Sequence, residues 1–246
     1  MKAKLMLLKV LIGIVIFIFL VSFSAIRHAC KPLTDLKISV DHESGKYFVN
    51  DSLIRKIVNS KQLNVSKIAL GNMDVANVEH ILNRNSFIEK SEVFQDIDGA
   101  MHIQINQETP LARINTGTDE YYLSENLTKM PLSSLYAAEV LMVGGPIEEE
   151  DYEGLKNLVE VISADKLLKN HIIAVKKQGP NSFILLVNKG DYIIEFGALN
   201  NFENKFDNLK LFYDQYLGKV GLNYYEKINL RFNNQIVSTK RINDDK

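Results

Sequence analysis

The stretch from Ser91 to Pro110 reads SEVFQDIDGAMHIQINQETP. Val93 lies on one limb and Met101, Ile103 and Ile105 on the other, alternating with polar residues at the two-residue period of a half-buried strand. Asp98-Gly99 between the limbs is the strongest short turn signal in the chain, so the stretch is a hairpin. Upstream, Leu36–Val40 (LKISV) alternates in the same way. Asn50 or Asp51 caps a short helix that buries Leu53, Ile54, Ile57 and Val58. Asp74 caps a second, with Val75, Val78, Ile81 and Leu82 at helical spacing. Strand, helix, helix, strand, strand over residues 36–108 is a small α+β layer. A sheet this small is marginal alone, so the helices must cover one of its faces.

Pro110 interrupts that pattern and opens a second unit over residues 109–240. Leu111–Ile114 and Tyr121–Leu123 are short strands, and Glu139–Pro146 (EVLMVGGP) is a strand ending in a turn. The acidic run from Glu148 to Asp151 leads a helix through Leu155, Leu158, Val159 and Ile162, its charges near the positive end. HIIAVKK, SFILLVNK and DYIIEFG follow as strands joined by turn residues. A late helix carries Phe202, Phe206, Leu209 and Phe212 or Tyr213 on one face. The closing pattern, YEKINLRFNNQIVSTKR from Tyr225 to Arg241, reads as a strand with a bulge or short turn at Asn233-Asn234. The fold class is therefore α+β, with a mixed, mainly antiparallel second domain.

Val10 to Ile26 (VLIGIVIFIFLVSFSAI) is an unbroken uncharged run. A membrane span needs roughly 20 apolar residues, with about 17 as the lower limit. Lys2, Lys4 and Lys9 precede it, so the positive-inside rule keeps the N-terminus in the cytoplasm. The expectation is a cytoplasmic tail over 1–9, a transmembrane helix over 10–27, and everything beyond on the far side of the membrane. A cleaved signal peptide processed at Ser22-Phe23-Ser24 is the alternative, disfavoured by the length of the run and by bulky Phe17, Phe19 and Phe23. Cys30 is the only cysteine, which excludes an intramolecular disulfide, and reads as an incidental residue at the membrane exit. Residues 241–246 form a charged tail.

Composition and motifs exclude more than they assign. Twenty-nine basic and 30 acidic residues nearly cancel, so the basic field of a nucleic-acid binder is missing. The sequence holds no nucleophile elbow, phosphate loop, dinucleotide fingerprint or zinc-spaced ligand set. His28, His42, His80, His102 and His171 are scattered, and Asp96 and Asp98 flank a turn. The expectation is a protein that is not an enzyme, with no cofactor, no metal, no nucleic acid and no small-molecule substrate.

The order of segments resembles the FtsQ/DivIB family of bitopic division proteins. The hairpin running into Gln107-Glu108-Thr109-Pro110-Leu111-Ala112 resembles the end of that family's POTRA domain and its Glu-x-x-Pro-x-Ala signature, with Glu108 one place closer to the proline. YYLSENLTKMPLS, LMVGGP and NFENKFDNLKLFYDQ are similar to segments of its β domain. KINLRFNNQIV resembles its terminal strand, with Asn229 for Asp, Phe232 for Tyr and Gln235 at the expected Gly. The resemblance implies a scaffold at the septum whose partners are division proteins of the FtsB and FtsL type and, through them, the septal peptidoglycan synthase.

It also implies that the final strands form an exposed edge to which a partner segment adds. Ile228, Leu230 and Phe232 then face the domain, while Asn229, Arg231 and Asn233 meet the partner. The expected contact set is Asn229, Arg231, Phe232, Asn233 and Gln235. Pattern alone favours a central strand inserted last, with Arg231 paired to an internal carboxylate; the resemblance turns the reading toward the docking edge. A POTRA-bearing secretion or outer-membrane assembly component, an exported binding protein with a cleaved signal, and an anchored hydrolase are the competing functions.

Overall fold

The computed structural model describes residues 2–29, 33–42, 45–60, 69, 72–96, 98–232 and 235–242. Cys30 and Asn233 lie outside them. The chain divides into two units, Met1–Gln107 and Glu108–Lys246.

The first unit begins with helix α1 (Lys2–Ala29). Its described side chains are exposed and mostly apolar, Phe17 and Phe19 at 68% and 65%, with Lys9 and Arg27 near the two ends. Among the described residues no helix is long and apolar enough to cross a membrane. The expected span over 10–27 is therefore not established by the fold.

Strand β1 (Asp35–Val40) follows, then α2 (Asp51–Val58), α3 (Val75–Asn83), β2 (Ile88–Gln95) and β3 (Ala100–Gln107). The sheet order is β1-β3-β2, with β1 parallel and β2 antiparallel to the central β3. The caps are the expected ones: Asn50 accepts from the Leu53 N–H and Asp74 from the Asn77 N–H. At the hairpin turn Gly99 takes φ +94, which a residue with a Cβ rarely adopts. Ile54, Val58, Val78 and Leu82 from the helices bury against Val93, Met101, Ile103 and Ile105. Each such side chain contributes roughly 1.5–3 kcal/mol on removal from water.

The second unit is built on one sheet of order β12-β11-β10-β9-β8-β7-β4-β5-β6. Its strands are β4 (Pro110–Asn115), β5 (Glu120–Ser124), β6 (Lys129–Pro131), β7 (Leu141–Gly144), β8 (Ile172–Gly179), β9 (Ser182–Val187), β10 (Ile193–Gly197), β11 (Tyr225–Asn229) and β12 (Val237–Lys240). Helices α4 (Tyr152–Ala164) and α5 (Lys166–His171) cross between parallel β7 and β8. Helix α6 (Phe202–Phe212) and a π turn at Tyr213–Leu217 cross between parallel β10 and β11. Parallel neighbours need such long connections. Leu155, Leu158 and Ile162 of α4 and Phe206 and Leu209 of α6 share one core with Ile114, Val143, Val175, Leu185, Ile194, Phe196 and Ile228 of the sheet.

At the end of the chain, where the pattern allows a bulge or a short turn, the strand reverses. This is a hairpin, in which β12 returns antiparallel along β11 and becomes the outer strand. β11 lies inside the sheet, between β10 and β12.

Candidate partner-binding edge

Two strands bound the second sheet, β6 and β12. β6 has three residues and includes Pro131, which cannot donate to an added strand. β12 has four residues, Val237-Ser238-Thr239-Lys240, and no proline. The Leu230 N–H donates to the Glu195 carbonyl at 2.9 Å, which aims the even-numbered backbone groups of this strand toward β10. Lys227 and Asn229 therefore face Thr239 and Val237, their register partners. By the same alternation the N–H and C=O of Ser238 point away from the sheet, and those of Lys240 follow, because the Arg241 N–H turns inward to the Tyr224 carbonyl.

The corner joining β11 to β12 is held by a polar network. Asn229 Nδ2 donates to Glu195 Oε2 at 2.6 Å, and Asn229 Oδ1 accepts from the Arg231 N–H at 2.9 Å and from Arg231 Nε at 3.2 Å. Arg231 Nη2 donates to the same Glu195 oxygen at 2.7 Å. Gly197 makes room for the arginine stem: its φ is +77, and a Cβ there would lie 2.6 Å from Arg231 Cγ. Beside β12 a cleft of about 370 Å³ opens between the late helix and the hairpin, lined by Leu211, Phe212, Tyr216, Tyr225, Ile236 and Ser238 among others. Leu211 and Tyr216 are both 55% exposed and Val237 46%, so the edge has an apolar flank.

Residues 109–239, more than half of the chain, match the family described as FtsQ/DivIB, C-terminal related. The chain belongs to the FtsQ/DivIB-related family. Residues 30–106 match a POTRA-like domain. Among curated proteins no match is found. The two family matches support a division-related scaffold of mixed α and β structure.

Seen within this FtsQ/DivIB-related fold, the expected contact residues separate. Asn229 is 9% exposed and bonded to Glu195 and Arg231, so it does not face outward. Its side chain closes the corner because β11 is an interior strand. Arg231 does pair with an internal carboxylate, as the alternative reading of the pattern has it, and remains half exposed. Ile228 and Leu230 are buried as expected, but Phe232 lies beyond the end of β11 and is 49% exposed. Gln235 is exposed at the rim of the cleft. The residues that form the edge, Val237 to Lys240, were absent from the expected set. Their signal is the resumption of alternation after Gln235, which the pattern does not separate from the preceding strand.

Glu108, offset by one from the family signature, is 6% exposed and accepts from Asn126 Nδ2 at 3.2 Å and Thr128 Oγ1 at 3.3 Å. It pins the β5–β6 turn. Elsewhere, His171 Nε2 and Tyr192 Oη lie 2.8 Å apart beside the edge-on ring of Tyr213. Burial pushes the His171 imidazole below its usual range and the Tyr192 phenol above its own. Both shifts favour neutral rings, which suits packing in an aromatic cluster. Among the described residues no group of three His, Cys, Asp or Glu side chains is placed to hold a metal.

Proposed function

We propose that this protein is a non-enzymatic, membrane-anchored scaffold of the bacterial division machinery. The N-terminal run over residues 10–27 spans the cytoplasmic membrane with the N-terminus inside, and the two units lie outside the cytoplasm at the septum. Support for the anchor comes from the lysines before the run and from the apolar, exposed side chains of α1. The units recruit single-span division proteins of the FtsB and FtsL type, and through them the septal peptidoglycan synthase. Tethering to one membrane raises the effective concentration of such partners, so contacts weak in solution suffice.

The observation that carries this reading is the outward-facing backbone of β12. An extended partner segment gains main-chain hydrogen bonds at Ser238 and Lys240 and sets alternate side chains against the apolar flank. Ser238→Pro tests it with little cost to the fold, because the lost N–H points away from β11 and edge strands tolerate proline there. A proline at Leu230 would not serve, since that buried residue uses its N–H within the sheet. Ser238→Pro should lower affinity for a purified partner at least about tenfold, the equivalent of one or two net hydrogen bonds. Unchanged affinity in a variant with wild-type circular dichroism would remove β12 as the docking edge.

A further inference from the structure

The first unit also ends on a bare-looking strand, and its chemistry differs from that of β12. Among the described residues β2 pairs on one side only, with β3. Alternation turns the N–H groups of Ser91 and Val93 away from β3, into the position where an added strand would place its carbonyls. Both are already taken. The Ser91 N–H donates to Asn83 Oδ1 at 2.7 Å, and the Val93 N–H donates to Glu79 Oε1 at 2.7 Å. Ser91 Oγ also donates to Asn83 Oδ1 at 2.8 Å, fixing the amide from a second side. Glu79 and Asn83 are four residues apart on α3, hence on one helical face, and the spacing of their acceptors along β2 matches two residues of strand.

We infer that Glu79 and Asn83 act as a surrogate strand that closes β2 against strand addition, whether by a partner or by a second copy of this chain. The inference is independent of the reading given to β12. An open edge is a template for association, and natural sheets blunt such edges with covering elements and inward charge. Here the cover is two side-chain oxygens. Without them β2 would be prone to pair with itself. Centred on Ser91, an antiparallel copy sets Lys90 opposite Glu92, a complementary pair, and lets the outward Ser91 N–H donate to the Ser91 carbonyl of the copy.

The experiment compares the wild-type chain with Glu79→Ala/Asn83→Ala in detergent, by sedimentation and by amide hydrogen exchange. The wild type should show protected Ser91 and Val93 amides and no association through the first unit. The double variant, with wild-type circular dichroism, should form a dimer whose population rises with concentration and in which those two amides stay protected. Glu79→Gln, which keeps a carbonyl acceptor, should behave as wild type. A folded double variant with the wild-type sedimentation profile overturns the inference. So does wild-type exchange at Ser91 and Val93 as fast as at exposed amides, a result that does not depend on whether any variant folds.

Discussion

Lys205 sits in an environment that its side-chain type rarely occupies. It is 8% exposed, with Nζ donating to the Ala198 carbonyl at 2.7 Å and Asn200 Oδ1 at 3.2 Å, and lying 4.3 Å from the centre of the Phe196 ring. Burial pulls its pKa down from 10.5 to about 8, despite the help a cation receives from a ring face. Between those values the unfolded chain holds a proton that the folded chain has released. Stability from this group therefore rises with pH from about 8 to 10.5 and is flat on either side. Buried Tyr192 and Tyr213 act in the opposite sense above pH 10, because burial raises both phenols. The difference between wild type and Lys205→Met isolates the lysine. Urea midpoints should gain on the variant's as pH rises from 7.5 to 9.5; parallel curves would show the ammonium to be solvated.

At the scale of elements, the β11–β12 corner depends on Asn229 serving Glu195 and Arg231 together. Asn229→Ala leaves the buried side of Glu195 short of a donor and the Arg231 N–H short of an acceptor, so it should cost about 1–3 kcal/mol in urea unfolding. A change within 0.3 kcal/mol would mean that water replaces the network. This corner also marks where the sequence stopped being legible. Local signals were strong enough for the Asp98-Gly99 turn, the Asn50 and Asp74 caps and most strands, since each depends on residues within a few positions. β6 and α5 are too short, at three and six residues, for a period to appear, although Asp165 does cap α5. The closing pattern fits a bulged strand and a hairpin equally, because both limbs alternate and Asn-Asn marks a bulge and a turn alike. Which limb lies outside depends on β10, some thirty residues earlier and joined through α6, and no local pattern records that pairing. The faces of Asn229 and Phe232 depend on that same pairing, whereas the burial of Ile228 and Leu230 follows from alternation alone.

For the whole molecule, two sheets from one chain treat their edges in opposite ways. In the POTRA-like unit the outward N–H groups of β2 are occupied by α3. In the FtsQ/DivIB-related unit β6 is short and ends in proline, while β12 keeps its outer backbone and a cleft of mixed polar and apolar lining beside it. The inferred closure of β2 and the proposed docking at β12 together suit a scaffold that gathers chosen partners without self-assembling. A photoreactive residue at Thr239, exposed on β12, compared with one at exposed Glu149, tests this most directly in intact cells of the native host. The account predicts that Thr239 alone crosslinks to a small single-span division protein, identified by mass spectrometry, and that adding Ser238→Pro abolishes the product. Equal products at Thr239 and Glu149, or none at Thr239, would contradict it.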